Sequence, residues 1–170
     1  MITEAYLAQQ KSLHARGNYG VSGHKYAEPV RHLAKQLGTH DILDYGCGQR
    51  TLEKALGFLI RNYDPAIAEF SDLPELQADI VVCSDVLEHI ELDQLDAVLD
   101  DLKRLTRKMG LFVIATGPAK KFLDDGRNAH LIQEGADWWL PKMMPRFELL
   151  QCQTDKHAIV ILVSPKALPC

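Results

Sequence analysis

A chain of 170 residues with 46% hydrophobic and 25% charged side chains is long enough for one domain around a real core, 1–170, with 1–38 as a helical or lid segment and 39–170 as the core. A net charge of −4 and a pI near 5.9 argue against an electrostatic grip on nucleic acid. Cys47, Cys83, Cys152 and Cys170 have no short paired spacing, so no metal site and no disulfide framework is expected; with no apolar run near the roughly 20 residues that span a bilayer and no leader pattern at Met1-Ile2-Thr3-Glu4, a soluble protein of the reducing cytoplasm is the expectation.

The segment ahead of Tyr26 is less regular. Gly17, Gly20 and Gly23 fall within Arg16–His24, and the segment suits a loop that folds over a pocket, with Tyr19, His24 and Lys25 either forming a lid or standing as solvated loop residues. Tyr26, Val30, Leu33, Ala34 and Leu37 then recur at helical spacing, and Gly38 stands where a C′ glycine belongs. Strands are predicted at 41–45, 58–63, 79–83, 110–116, 147–153 and 157–163. Between the third and fourth, Leu92, Leu95, Val98, Leu99, Leu102 and Leu105 form one apolar helical stripe. Lys103, Arg104, Arg107 and Lys108 follow as a basic stretch, read as a solvated helix end that complements the helix dipole.

The strands Asp79-Ile80-Val81-Val82-Cys83 and Leu111-Phe112-Val113-Ile114-Ala115 are apolar on both faces, as a parallel sheet covered by helices requires. The fold class expected is therefore α/β, a Rossmann-like doubly wound sheet of six to seven strands, mostly parallel. Only Thr154-Asp155-Lys156 separates the last two strands, which makes them an antiparallel hairpin.

In open α/β sheets ligands lie beyond the carboxyl ends of the strands, and each such end here carries chemistry. The first is Ile42-Leu43-Asp44-Tyr45-Gly46-Cys47-Gly48, where two glycines allow a sharp turn and Asp44 offers a carboxylate to a ligand ammonium or hydroxyl. The second is Tyr63-Asp64-Pro65, the third Ser84-Asp85-Val86, the fourth Thr116-Gly117-Pro118. Asp64 follows Asp44 by 20 residues, about one helix and one strand, the position from which a carboxylate takes both ribose hydroxyls. A dinucleotide-binding oxidoreductase would need a glycine at position 51, which is Thr51.

Together these residues resemble the class I S-adenosylmethionine-dependent methyltransferases. Asp44-Tyr45-Gly46-Cys47-Gly48 looks like their first motif, Asp64 like their ribose-binding acid, and the run Ala78–Ile90 like their fourth-motif segment. The likeness extends from about Tyr26 to Ser164, and Asp125–Leu131 followed by Trp138-Trp139 further resembles small bacterial and phage-borne members. It implies S-adenosyl-L-methionine as cofactor, held by Asp44, Gly46, Cys47, Gly48, Tyr63, Asp64, Pro65, Phe70, Ser84, Asp85 and Val86. Two departures stand out. Arg50 occupies the place of the family's usual third glycine, either reaching the methionine carboxylate or standing exposed at a helix start. Only 15 residues lead from Asp64 to Asp79, so the edge strand that normally follows the second strand should be missing or vestigial. Ile67, Phe70 or Leu73 would then cover the adenine, with Asp72 accepting from its amino group or forming a turn.

Methyl transfer from a sulfonium is an in-line displacement, so the enzyme chiefly places the acceptor and excludes water. His130 and His89 are the candidate bases for an acceptor that keeps its proton. Arg127, Trp138, Trp139 and Tyr19 are the candidate substrate-binding residues; the adjacent tryptophans diverge by roughly 100° on a helix, so one belongs to the core. No Asn/Asp-Pro-Pro-aromatic motif and no Pro-Cys nucleophile in a strand-end loop is present, Pro169-Cys170 being the chain end. The expected activity is methyl transfer to an oxygen or nitrogen of a small-molecule acceptor, without nucleic-acid or membrane partners; the alternative is a cofactor-binding protein without transferase activity.

Overall fold

The computed structural model describes residues 2–17 and 19–167. Pro169 and Cys170 lie outside the described residues. Six strands form one sheet: β1 (Ile42–Tyr45), β2 (Arg61–Tyr63), β3 (Ala78–Ser84), β4 (Thr106–Ala115), β5 (Phe147–Thr154) and β6 (Ala158–Pro165), in the order β2-β1-β3-β4-β6-β5. β1 to β4 run parallel, and β6 pairs antiparallel with both β4 and β5. The Rossmann-like class, the parallel core and the terminal hairpin are all as the sequence predicts. Between β2 and β3 the described chain makes only a single 3₁₀ turn, Ala68–Phe70, which leaves β2 at the sheet edge. The order reverses between β1 and β3, where a crevice opens at the carboxyl ends.

Both faces of the sheet are covered. β3 shows how: Ile80 and Val82 pack with Leu52, Val30 and Leu33 on one face, while Val81 and Cys83 join Leu99, Leu102 and Trp139 on the other. That period of two, apolar on both sides, explains the unbroken hydrophobic run. The first face carries α2 (Ala27–Leu37) and α3 (Thr51–Leu56); the second carries α4 (Leu95–Leu105) and α5 (Ala136–Met143). α2 ends as expected at Gly38, whose φ of +63° lets its N–H turn back to the Ala34 and Lys35 carbonyls.

Three local expectations are corrected. Leu92 is exposed, in a 3₁₀ turn ahead of α4, so the buried stripe begins at Leu95. β4 starts at Thr106, directly after α4, which places Arg107 and Lys108 on a strand rather than at a helix end. Arg107 pairs with Asp41 and Asp79, Lys108 with Asp79, and Arg104 with Asp101, so three of the four basic residues are tied into ion pairs. Finally, a helix precedes the glycine loop. α1 (Glu4–Ala15) is capped by Thr3, whose hydroxyl accepts from the Tyr6 N–H and donates to Glu91. Its buried face is Tyr6, Gln10 and Leu13, too polar to read as an amphipathic stripe. No helix among the described residues is long and apolar enough to cross a membrane.

Candidate active site

A cavity of about 790 Å³ lies beyond the carboxyl ends of β1 to β4, roofed by α1 and the segment 19–25. The turn after β1 forms its floor. Gly46, at φ +83°, donates to the Tyr63 carbonyl, and a Cβ there would come 2.3 Å from Val86 Cγ2. Gly48, at φ +49°, donates to Asp64 Oδ2 at 3.0 Å, and a Cβ there would lie 2.5 Å from the Gly20 carbonyl oxygen. Both glycines thus answer to close protein neighbours as well as to any ligand.

Asp64 is buried at the end of β2. Its Oδ1 accepts from the Ala66 N–H at 2.9 Å, and its Oδ2 stands 3.9 Å from His14 Nε2. A carboxylate has about four acceptor positions, so capacity remains for a ligand donor. His14, on α1, is a wall residue that the sequence reading missed, together with Tyr6 and Gln10. Their spacing, 6, 10 and 14, is one helical face and is the signal that could have found them.

Of the residues assigned to the cofactor, Gly46, Gly48, Asp64, Pro65, Asp85 and Val86 line the cavity. Asp44, Cys47, Tyr63, Phe70 and Ser84 do not. Asp44 is buried, and burial, then Asp64 and Glu53, raise its pKa to about 7. Tyr63 contributes its carbonyl, which holds the N–H groups of Gly46 and Cys47. Cys47 and Ser84 are buried, and burial pushes the Cys47 thiol up. Phe70 lies under the Arg50 guanidinium, 4.9 Å from its ring centre. Arg50 itself takes φ +54°, the left-handed conformation that suits the family's glycine, and turns outside the cavity wall. Leu73 is exposed.

The opposite end of the cavity is built from aromatic and imidazole rings. Tyr6 donates to the His89 carbonyl, Gln10 Nε2 donates to Tyr6, and the Tyr19 hydroxyl lies 3.1 Å from both Gln10 Oε1 and His89 Nδ1. His89 Nδ1 is 2.7 Å from the Ala129 carbonyl, and His130 Nδ1 is 2.6 Å from the Gly117 carbonyl. A carbonyl only accepts, so each Nδ1 carries a proton, and in the neutral ring the lone pair is on Nε2. The two rings meet edge to face at 4.8 Å. Burial, reinforced by His130 and His14, lowers the His89 pKa to about 3, so His89 is neutral at physiological pH. Asn128 anchors the loop that delivers His130: its side chain accepts from the N–H groups of Ala119 and His130 and donates to the Ala119 carbonyl.

Tyr19 and Lys25 line the cavity, while His24 turns to the Val21 carbonyl. Arg127, Trp138 and Trp139 are not brought to it. Arg127 is exposed and pairs with Asp125, so it braces its own loop. Trp139 is fully buried in the core, and Trp138 is covered by Lys142 Nζ, 3.7 Å above its ring. Helix α5 packs on the sheet face, which is the physical reason both rings are distant from the strand ends.

The family model of a methyltransferase domain matches residues 19–157. A search of curated proteins finds no match. Among solved structures, the chain is similar to Burkholderia thailandensis 1,6-didemethyltoxoflavin-N1-methyltransferase with bound 1,6-didemethyltoxoflavin and S-adenosylhomocysteine, at 16% identity and TM-score 0.69, covering 98% of this chain and 92% of that one. It is also similar to the DhpI–SAH complex, at 15% identity and TM-score 0.65 over 96% and 98% of the two chains. Magnesium protoporphyrin IX methyltransferase from Synechocystis PCC 6803 with bound SAH follows at 16% identity and TM-score 0.57, over 84% and 83%. The family model covers most of the chain, and the chain belongs to the class I S-adenosylmethionine-dependent methyltransferase family.

Proposed function

We propose that this protein transfers a methyl group from S-adenosylmethionine to an oxygen or nitrogen of a small-molecule acceptor in the cytoplasm. The observation that carries the reading is the polarity of one cavity, with the buried Asp64 carboxylate at one end and the His89 and His130 imidazoles at the other. The residues present fit the cofactor: Asp64 keeps free acceptor positions, and Gly46 and Gly48 line the cavity without a side chain of their own. When bound, S-adenosylmethionine supplies an electrophilic methyl on its sulfonium.

The chain's own residues do the rest. Asp64 would hold the ribose hydroxyls, Pro65 and Ala66 would flank the base, and Lys25 would face the amino-acid carboxylate. Tyr6, Gln10, His14 and Tyr19 close the roof and keep water from the reacting atoms. His130 Nε2, whose lone pair is set by the Nδ1 bond to Gly117, is the group that would take the acceptor's proton. A small-molecule acceptor is supported by the bound 1,6-didemethyltoxoflavin of the similar Burkholderia enzyme. The cofactor-binding alternative is disfavoured because the cavity continues past Val86 to His130 and Lys120 instead of closing there.

Calorimetry with S-adenosylhomocysteine tests the reading. The wild type should bind, His130→Asn should bind about as well, and Asp64→Ala should lose about tenfold or more, the loss of hydrogen bonds to a charged acceptor. A folded wild type that does not bind, or an Asp64→Ala variant with unchanged affinity, would overturn it.

A further inference from the structure

Glu88 is a buried group near the acceptor end that methyl transfer by itself does not use. It follows Leu87 in a single 3₁₀ turn after β3 and is wholly inaccessible to solvent. Its Oε1 accepts from the Ala115 N–H at 3.0 Å, but its Oε2 has no hydrogen-bond partner. Burial raises the Glu88 pKa to about 8, so the unpaired oxygen is accommodated either by a proton or by a cation that displaces it. The next residue is His89, and the loop held by Asn128 brings His130 to the same place. One ligand atom each of Glu88, His89 and His130 lies within 4.8 Å of the others.

We propose that Glu88, His89 and His130 form a binding site for a divalent transition metal ion of the zinc, manganese or iron class, open toward the acceptor end of the cavity. Two imidazoles and one carboxylate are the ligand chemistry of such ions rather than of magnesium, which prefers an all-oxygen shell. The supporting shell is already in place. A metal-binding histidine characteristically donates its other ring N–H to a carbonyl, which fixes the tautomer and aims the lone pair, and both His89 and His130 do this, to Ala129 and Gly117. Metal bonds of about 2.0–2.2 Å place ligand atoms roughly 3–4 Å apart. The present separations therefore close with side-chain adjustments of about 1 Å. Three protein ligands leave positions for an acceptor oxygen or nitrogen, and an ion there would lower that group's proton affinity. This rests on the methyltransferase reading only for the location of the acceptor; the ion would take the lone pair that otherwise makes His130 a base.

Cobalt(II) titration of the EDTA-treated full chain, followed by visible absorption, tests the site, with S-adenosylhomocysteine calorimetry on the same sample. Saturable d–d bands that zinc(II) displaces, and that weaken by about 100-fold or more in affinity in His130→Ala and Glu88→Gln, are expected; that is at or beyond the top of the 10–100-fold typical of a supporting-shell change. Glu88→Gln alters a fully buried group, so nitrogen NMR of the histidines in the unaltered chain supplies a second readout, in which the Nε2 signals of both His89 and His130 should shift on adding zinc(II). S-adenosylhomocysteine binding without saturable cobalt binding, or cobalt binding unchanged in His130→Ala with unshifted Nε2 signals, would overturn the metal site and leave the methyltransferase reading intact. Loss of S-adenosylhomocysteine binding alone would count against that reading, and a saturable His130-dependent cobalt signal would still support the site.

Discussion

Gly20 and Gly48 meet backbone to backbone at the mouth of the cavity: the Gly20 carbonyl accepts from the Gln49 N–H at 2.8 Å, and a Cβ on Gly48 would lie 2.5 Å from that same oxygen. The glycine loop and the turn after β1 are therefore one joint. The roof over the cavity is hung on the floor at this point.

Gly48→Ala should accordingly do more damage than an alanine at an unobstructed left-handed glycine. Gly38, at φ +63° with nothing within 4 Å of its notional Cβ, is the control, and Gly38→Ala should cost about 1–2 kcal/mol from backbone conformation alone. Gly48→Ala adds a clash with backbone, so it should lower the melting temperature further and weaken S-adenosylhomocysteine by displacing residues 19–22. Equal melting temperatures and intact binding in the two variants would mean that the joint is not needed.

Asp44 makes stability depend on pH. Its pKa in the fold is raised from 3.8 to about 7 by burial, with Asp64 and Glu53 adding to the effect. The folded state then holds the proton more tightly than the unfolded state. The stabilisation is present in full below about pH 4 and is lost as pH rises through about 7, at about 1.4 kcal/mol per unit. Asp44→Asn mimics the protonated form, so its melting temperature relative to that of the wild type should rise from pH 5 to about pH 7 and level off above it. A difference that stays constant across that range would count against a raised Asp44 pKa.

The adjacent tryptophans should separate cleanly by stability. Trp139 is fully buried, and truncation to alanine should cost about 3–5 kcal/mol through transfer and cavity terms. Trp138 is partly exposed under Lys142, and Trp138→Ala should cost about 1 kcal/mol, the range of an exposed cation–π contact and partial burial. Chemical denaturation measures both. Neither variant, where folded, should alter S-adenosylhomocysteine affinity, since neither ring reaches the cavity; a large affinity loss in Trp138→Ala would place α5 nearer the site than it is drawn here.

Local pattern made much of this protein legible. The period of two in β3, buried on both faces, requires helices on both sides of a parallel sheet, and the three-residue gap before β6 permits nothing but a hairpin. The short path from Asp64 to Asp79 has room for one 3₁₀ turn and no extra strand. The glycine turn and the acid after β2 are likewise local, because backbone geometry demands those residue types wherever the turn occurs. Tertiary structure alone decided what faces the cavity. α1 carries Tyr6, Gln10 and His14 on a face of mixed polarity, which has no apolar periodicity to announce it and becomes meaningful only opposite Asp64 and His89. Asp44 and Trp138 have the right chemistry but are not among the residues that line the cavity, Asp44 being buried and Trp138 carried on α5 against the sheet face. Glu88 and His130 are distant in sequence, so no spacing rule links them; the end of β4 and the Asn128-anchored loop bring them together, and that contact is set by the packing of the whole domain.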